Sequence, residues 1–250
     1  MNTKFSIIMA TMNSEEVIEK AIESINKQTY KNYELIIVDG NSIDNTIEII
    51  RKFDLNIKVI SENDEGIYDA LNKGLKIASG DFVYVMGSDD IFYDENVLED
   101  VNGLVCNQYG MVYGNIISRD RFNEKLILMK KPEEYKIKNI KCPPIFHQSV
   151  FMRRELLFKS GFFPVFYKIH ADHFIISYLF NITNSLHIER IICSYNNNGF
   201  SGRRLGNYMQ SSMEQLRISI FFKNNLINLL LPFAKNFVMA LIVSIKKSIS

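Results

Sequence analysis

Four times within its first hundred residues the chain passes from a short apolar run into a segment whose apolar residues recur at helical spacing. This alternation restricts the fold more than any other property of the sequence. FSIIMA (5–10), ELIIVDG (34–40), IKVIS (57–61) and FVYVM (82–86) read as buried strands, since each run is too short for a helix. Val17, Ile18, Ala21, Ile22 and Ile25 form one helical stripe; Ile47, Ile50 and Phe53 form a second. GIYDALNKGLKIASG (66–80) is a third helix, ending at Gly80. Asn13 or Ser14 is expected to cap the first helix, with Glu15 and Glu16 in its first turn, and Asp44 to cap the second. Strands joined through helices pair in parallel and are covered on both faces. The fold class is therefore α/β, with a mostly parallel sheet.

Beyond residue 100 the pattern loosens. MVYGNII (111–117), KLILMKK (125–131) and LHIERIICSY (186–195) read as strands. HQSVFMRREL (147–156) reads as a strand running into a helix, and ADHFIISYLF (171–180) carries a helical stripe of Phe174, Ile175, Tyr178 and Leu179. A basic, glycine-rich loop, NNNGFSGRRLGN (196–207), precedes a mainly helical tail running from Tyr208 to Ser250.

In open α/β sheets ligands gather at the carboxyl ends of the strands. Here those ends carry Thr11 and Asn13, then Asp39, then Glu62, Asp64 and Glu65, then Asp89 and Asp90. Such an acidic rim suits hydroxyls and a divalent cation, whereas bare phosphate would be repelled. The stretch after the first strand, MATMNSEE, holds no glycine, which disfavours a dinucleotide-binding GxGxxG loop, and no GxxxxGK[ST] phosphate loop occurs. A net charge of +1 gives no electrostatic footprint for nucleic acid. Three scattered cysteines without CxxC spacing fit a reducing compartment, and the N-terminal apolar run is too short for a signal sequence, so a cytoplasmic location is expected.

The series FSIIMATMNSEEVIEKAIESINKQTYKNYELIIVDGNSIDNT and DEGIYDALNKGLKIASGDFVYVMGSDD resembles the donor-nucleotide half of family-2 glycosyltransferases of the GT-A fold. FHQSVFMRRELLFKSGFF and KIHADHFI resemble the acceptor half. The resemblance implies a GT-A domain over residues 1–205, with residues 1–100 as the nucleotide-sugar half and 101–205 as the acceptor half, and a helical tail over 206–250. It implies an inverting glycosyltransferase that carries a sugar from a nucleotide-diphosphate donor to a glycan or lipid-linked acceptor in cell-surface polysaccharide assembly.

Residue by residue, the resemblance makes Asp39 the ligand of base or ribose, or else only the cap of the following turn. Thr11 and Asn13 would line the same pocket, Asn13 being alternatively the helix cap, with Asp69 facing it from the third helix and Ser88 beside it. Asp89 and Asp90 match the DxD-type motif for Mg²⁺ or Mn²⁺, although Gly87 stands where many members carry the first Asp. The bland alternative is that Ser88 or Asp89 caps the helix around ENVLEDV. Asp172 matches the catalytic base. His147, Gln148 and His170 would shape the acceptor side, with His173 beside them, and Arg203 and Arg204 would form a basic lid over the diphosphate. The apolar, lysine-bearing segment 218–250 reads as either an interfacial membrane helix or a packing surface. A nucleotidyltransferase is the rival enzyme class, but it would want a glycine-rich basic loop after the first strand. A non-catalytic nucleotide-sugar-binding scaffold is the third reading.

Overall fold

The computed structural model describes residues 2–105, 108–119, 124–196 and 205–223. Its spine is the set of four predicted parallel strands, β1 (Phe5–Thr11), β2 (Tyr33–Asp39), β3 (Ile57–Ser61) and β4 (Phe82–Gly87), in the order β3-β2-β1-β4. The register aligns their carboxyl ends: Thr11 lies opposite Asp39, Asp39 opposite Ser61, and Ala10 opposite Gly87. One rim of the sheet therefore receives all four strand ends, as the alternation requires.

Helices α1 (Ile18–Asn26), α2 (Thr46–Arg51) and α3 (Ile67–Ile77) connect these strands and bury the predicted stripes; Ile18, Ala21, Ile22 and Ile25 are fully buried. The start of α1 differs from expectation. Neither Asn13 nor Ser14 caps it with a side chain; the Ser14 carbonyl accepts the Val17 and Ile18 N–H groups in a preceding turn. Asn13, at φ 49°, instead turns its Oδ1 to the Ile43 N–H, 3.0 Å away, and stitches the first rim loop to the second. The N-cap position of α2 is Asn45 and not Asp44, and no side chain caps it from there; Asp44, one residue earlier, accepts from the Thr46 N–H at 3.0 Å.

The second half continues the sheet in mixed directions. After β5 (Ile91–Phe92) and α4 (Val97–Leu104) come β6 (Met111–Arg119), β7 (Glu124–Ile127) and α5 (Pro132–Ile137). A 3₁₀ turn at His147–Ser149 leads into β8 (Val150–Arg153) and α6 (Arg154–Lys159), followed by α7 (Ala171–Ile182), β9 (Ser185–Asn196) and α8 (Leu205–Phe221). The sheet order runs on from β4 through β8, β6 and β9 to β5, with β7 paired to β6. Helix α4 begins seven residues past Asp90, and Asn96 occupies its N-cap position, so neither Ser88 nor Asp89 caps it. The halves are welded by aromatic rings: Tyr84 stacks on Phe92 at 5.0 Å and on Phe151 at 4.7 Å, and Phe151 meets Phe5 at 5.5 Å. Such pairs contribute about 0.5–1.5 kcal/mol each beyond the area they bury, and they form a firm floor beneath the end of β4.

Candidate active site

A cleft of about 480 Å³ opens at the aligned strand ends, walled by Thr11, Ser14, Asp69 and Ser88 and floored by Gly66 and Tyr68. The Thr11 hydroxyl is buried there with no partner among the described residues, an orphan that a ligand would satisfy. Ser14 and Ser88 hydroxyls lie 3.0 Å apart across the cleft wall. Asp69 is half-buried; its Oδ2 accepts from the Glu65 N–H at 3.2 Å and pairs with Lys73 at 3.4 Å, and the backbone bond first and Lys73 second hold its pKa down.

Two residues expected in this pocket sit elsewhere. Asn13 is exposed and occupied with the 42–43 loop. Asp39 is fully buried behind the rim. Its carboxylate accepts from the Ser42 N–H at 3.0 Å, from the Ser61 hydroxyl at 2.7 Å and from the Ser42 hydroxyl. Its visible work is thus to shape the turn after β2.

The Asp pair closes the end of β4. Asp90 is 3% exposed, accepting from the Gly87 and Asn196 N–H groups at 3.2 Å each. Burial first, and the charge of Asp89 second, push its pKa up to about 6. Asp89 is also raised, chiefly by burial, while Arg119 donates to its backbone carbonyl at 3.2 Å. Two neighbouring carboxylates that resist ionisation are what a dication would reverse, since it favours both charged forms. Among the described residues no cluster of three or more His, Cys, Asp or Glu could hold a metal ion alone. Two carboxylates nevertheless fit a hard cation that keeps waters and shares substrate phosphate oxygens.

A side chain at position 87 would meet the Asp pair itself. A Cβ on Gly87 would lie 2.7 Å from Asp90 Oδ2 and 3.1 Å from Asp89 Oδ1. The inward-turned Asp90 carboxylate occupies the space that a side chain at 87 would need. Gly87→Asp is accordingly expected to lower stability by about 1–3 kcal/mol through overpacking without tightening divalent-cation binding, as read by thermal melts with and without Mn²⁺.

A second cleft, of about 350 Å³, lies beyond Tyr68 and is lined by Phe146, His147, Gln148, His170, Asp172 and Tyr195 among others. Asp172 stands in the first turn of α7. Its Oδ2 is 2.6 Å from His147 Nδ1, and its Oδ1 is 2.9 Å from the Tyr68 hydroxyl, which also lies 2.6 Å from the Ile169 carbonyl. Burial alone would raise the Asp172 pKa, but the charge and hydrogen bond of His147 outweigh it and hold the carboxyl well below its usual range. Burial likewise works against the charged form of His147, and the Asp172 bond and charge more than offset it, raising its pKa. His170 also lines this cleft, its Nε2 2.7 Å from the Ser211 hydroxyl, with its pKa lowered by burial. His173 is lowered to about 4, by burial and then by His170.

Sequence reasoning missed what holds this segment in place. Glu214 of α8, 3% exposed, accepts three consecutive backbone N–H groups, those of Lys168, Ile169 and His170, at 2.9, 3.0 and 3.0 Å. The carboxylate thus fixes the chain just before Asp172, so α8 is part of the site and not an appendage. Glu214→Ala leaves three N–H groups without their acceptor and is expected to cost about 2–4 kcal/mol; urea denaturation would measure it, with Glu214→Gln falling between. Arg203, Arg204 and the segment 224–250 lie outside the described residues. Among the described residues no helix is long and apolar enough to cross a membrane.

Residues 6–161 match the family model described as glycosyl transferase family 2. A PGL/p-HBAD biosynthesis glycosyltransferase of Mycobacterium bovis (strain BCG / Pasteur 1173P2) is 31% identical over 212 residues, covering 78% of this chain and 77% of its own. The Escherichia coli enzyme UDP-Glc:alpha-D-GlcNAc-diphosphoundecaprenol beta-1,3-glucosyltransferase WfgD is 35% identical over 130 residues, 50% of this chain and 51% of its own. In structure, S. aureus TarS 1-349 superposes with a TM-score of 0.69 at 21% identity, over 93% of this chain and 71% of that one. The mannosyltransferase PcManGT from Pyrobaculum calidifontis, solved with GDP-Man and Mn²⁺, gives a TM-score of 0.64 at 21% identity, over 86% of this chain and 63% of that one. With strand ends, acidic pair and fold in agreement, the chain belongs to glycosyl transferase family 2 and is a glycosyltransferase of the GT-A fold.

Proposed function

We propose that this glycosyltransferase moves a hexosyl or N-acetylhexosaminyl group, with inversion, from a nucleoside-diphosphate sugar to a hydroxyl of a glycan or lipid-linked acceptor. The setting is cell-surface polysaccharide assembly (O-antigen, capsule or exopolysaccharide) at the cytoplasmic face of the membrane. One observation carries the reading: Tyr68 lines the first cleft while its hydroxyl lies 2.9 Å from Asp172, which lines the second, so the two clefts adjoin at that contact. A donor in the first cleft and an acceptor in the second would meet at that contact, at the end of β4.

In this reading the orphan Thr11 hydroxyl, Ser14, Ser88 and Asp69 hold the nucleotide, and Asp39 reaches base or ribose once Ser42 turns its hydroxyl away. Asp89 and Asp90 would hold Mg²⁺ or Mn²⁺, which when bound supplies positive charge against the departing diphosphate. Asp172 supplies the basicity that the attacking hydroxyl needs, and Arg203 and Arg204 close over the diphosphate. The lipid-linked acceptor of WfgD and the Mn²⁺ of PcManGT support these choices. Ile220 and Phe221, both about 60% exposed at the end of α8, support a membrane-facing role for segment 218–250.

The test is a thermal-shift screen of UDP-, GDP- and dTDP-sugars with and without Mg²⁺ or Mn²⁺. Stabilisation that requires both a cation and one nucleotide family is expected. Stabilisation by nucleotide alone would remove Asp89 and Asp90 from the metal role, and stabilisation by none would refute the donor site.

A further inference from the structure

We infer that Glu214 is a positioning residue for glycosyl transfer, holding the backbone of residues 168–170 so that the Asp172 carboxylate stands where the acceptor hydroxyl is presented. This rests on the reading of Asp172 as the base, and it carries the machinery of transfer onto α8.

The first reason is where the held segment runs. Val165, Tyr167 and Lys168 line the first cleft, and Ile169, His170 and Asp172 line the second. One stretch of backbone therefore passes from the first cleft to the second, and the change falls between Lys168 and Ile169. Glu214 grips the chain at that point. Its Oε1 accepts from the Lys168 N–H at 2.9 Å, and its Oε2 accepts from the Ile169 and His170 N–H groups at 3.0 Å each. The Tyr68 hydroxyl engages a carbonyl of the same stretch, donating to Ile169 at 2.6 Å. A segment whose N–H and C=O groups are both held cannot slide or turn without breaking several hydrogen bonds at once.

The second reason is the chemistry of the grip. Residues 168–170 precede α7 and belong to no strand, so their N–H groups have no ladder to join. A carboxylate is acceptor-only, with about four lone-pair sites on two oxygens. It meets three converging N–H groups without setting a donor against any of them, and bonds to a charged acceptor are the stronger kind. Gln210 Nε2 steadies it further, donating to Oε1 at 2.9 Å.

The third reason is that α8 meets the chain on both sides of Asp172. Before it, the Ser211 hydroxyl lies 2.7 Å from His170 Nε2. After it, the Phe221 ring packs 5.2 Å from that of Phe174. The Phe174 N–H donates to the His170 carbonyl at 3.0 Å and closes the first turn of α7 around Asp172. Helix α8 is itself seated by Ile218, which is fully buried. A displacement of a reacting group by about 1 Å costs on the order of 10²-fold in rate, and this frame is what opposes such a displacement.

The experiment compares the unaltered chain with Glu214→Gln, Asp172→Asn and the double variant, well below the melting midpoint of each. The readouts are nucleoside-diphosphate release from the donor selected by the screen and the donor-induced thermal shift. Gln keeps one acceptor oxygen and sets an amide NH₂ against the held segment. Glu214→Gln is expected to lose on the order of 10²-fold in kcat with the donor shift unchanged. Because Glu214 acts through Asp172, the double variant is expected to be no slower than Asp172→Asn alone. Should Glu214→Gln not fold, Glu214→Asp, which keeps the charge but falls one methylene short, carries the same expectations. A folded Glu214 variant with undiminished kcat overturns the inference. So does a double variant in which the two losses multiply, or a donor shift that disappears along with kcat. An unaltered chain inert toward every sugar nucleotide overturns the proposed function and the inference together, whereas an active chain that Asp172→Asn disables and the Glu214 variants do not overturns the inference alone.

Discussion

Asp172→Asn is expected to lower kcat on the order of 10³-fold or more while leaving the donor-induced thermal shift in place. The expectation follows from the separation of the two clefts: Asp172 lines the second, and the donor would occupy the first. The amide has no basic oxygen to take a proton from the acceptor hydroxyl, while its Oδ1 can still accept from His147 Nδ1. Turnover assays on the donor chosen by the screen, paired with donor titrations, give the answer. An Asn variant that turns over normally would remove Asp172 from the chemistry altogether. Loss of donor binding in step with kcat would make it a residue of the donor site.

The second large effect concerns Asp90. Its pKa in the folded chain is raised to about 6 from 3.8, so the folded state holds this proton more tightly than the unfolded state does. The stability this carries is present below about pH 4 and is lost as pH climbs to about 6. At about 1.36 kcal/mol per unit, the shift amounts to at most about 3 kcal/mol. In the absence of divalent cations, Asp90→Asn is expected to melt above the unaltered chain near neutral pH, and the difference should vanish in mild acid. With Mn²⁺ and a nucleoside diphosphate the order reverses, because only the carboxylate gains from the cation. Melting curves across pH, with and without Mn²⁺, separate these states. An Asp90→Asn chain that still responds to Mn²⁺ would move the cation elsewhere.

The rim of aligned strand ends was legible because its signals are local. Strand ends follow from apolar runs, and parallel pairing brings Thr11, Asp39, Ser61 and Gly87 to one rim whatever the side chains do. What the sequence could not convey was direction. Asn13 looked like a helix cap but turns across to Ile43, and Asp39 looked like a pocket carboxylate but is enclosed by Ser42 and Ser61. Side-chain orientation in loops depends on partners about 30 residues away, as the Asn13–Ile43 separation illustrates. The second cleft was harder still. His147 and Asp172 were each singled out, but their pairing joins a 3₁₀ turn to a helix start, and no periodicity encodes that. Tyr68 was passed over for its neighbour Asp69, which lines the same cleft. Glu214 offered only a helical glutamate in a segment that read as a tail.

The Tyr68 ring has a consequence for the order in which substrates arrive. One hydroxyl serves the wall of the donor cleft, the Ile169 carbonyl and the Asp172 carboxylate. In the proposed reading a nucleotide in the first cleft would bear on this ring and an acceptor in the second would draw on Asp172, so both would act on one hydrogen bond. Thermodynamic reciprocity requires the two influences to be equal: whatever factor the donor lends to acceptor affinity, the acceptor returns to the donor. If donor and acceptor occupy the two clefts as proposed, any coupling between them would run through a single phenol.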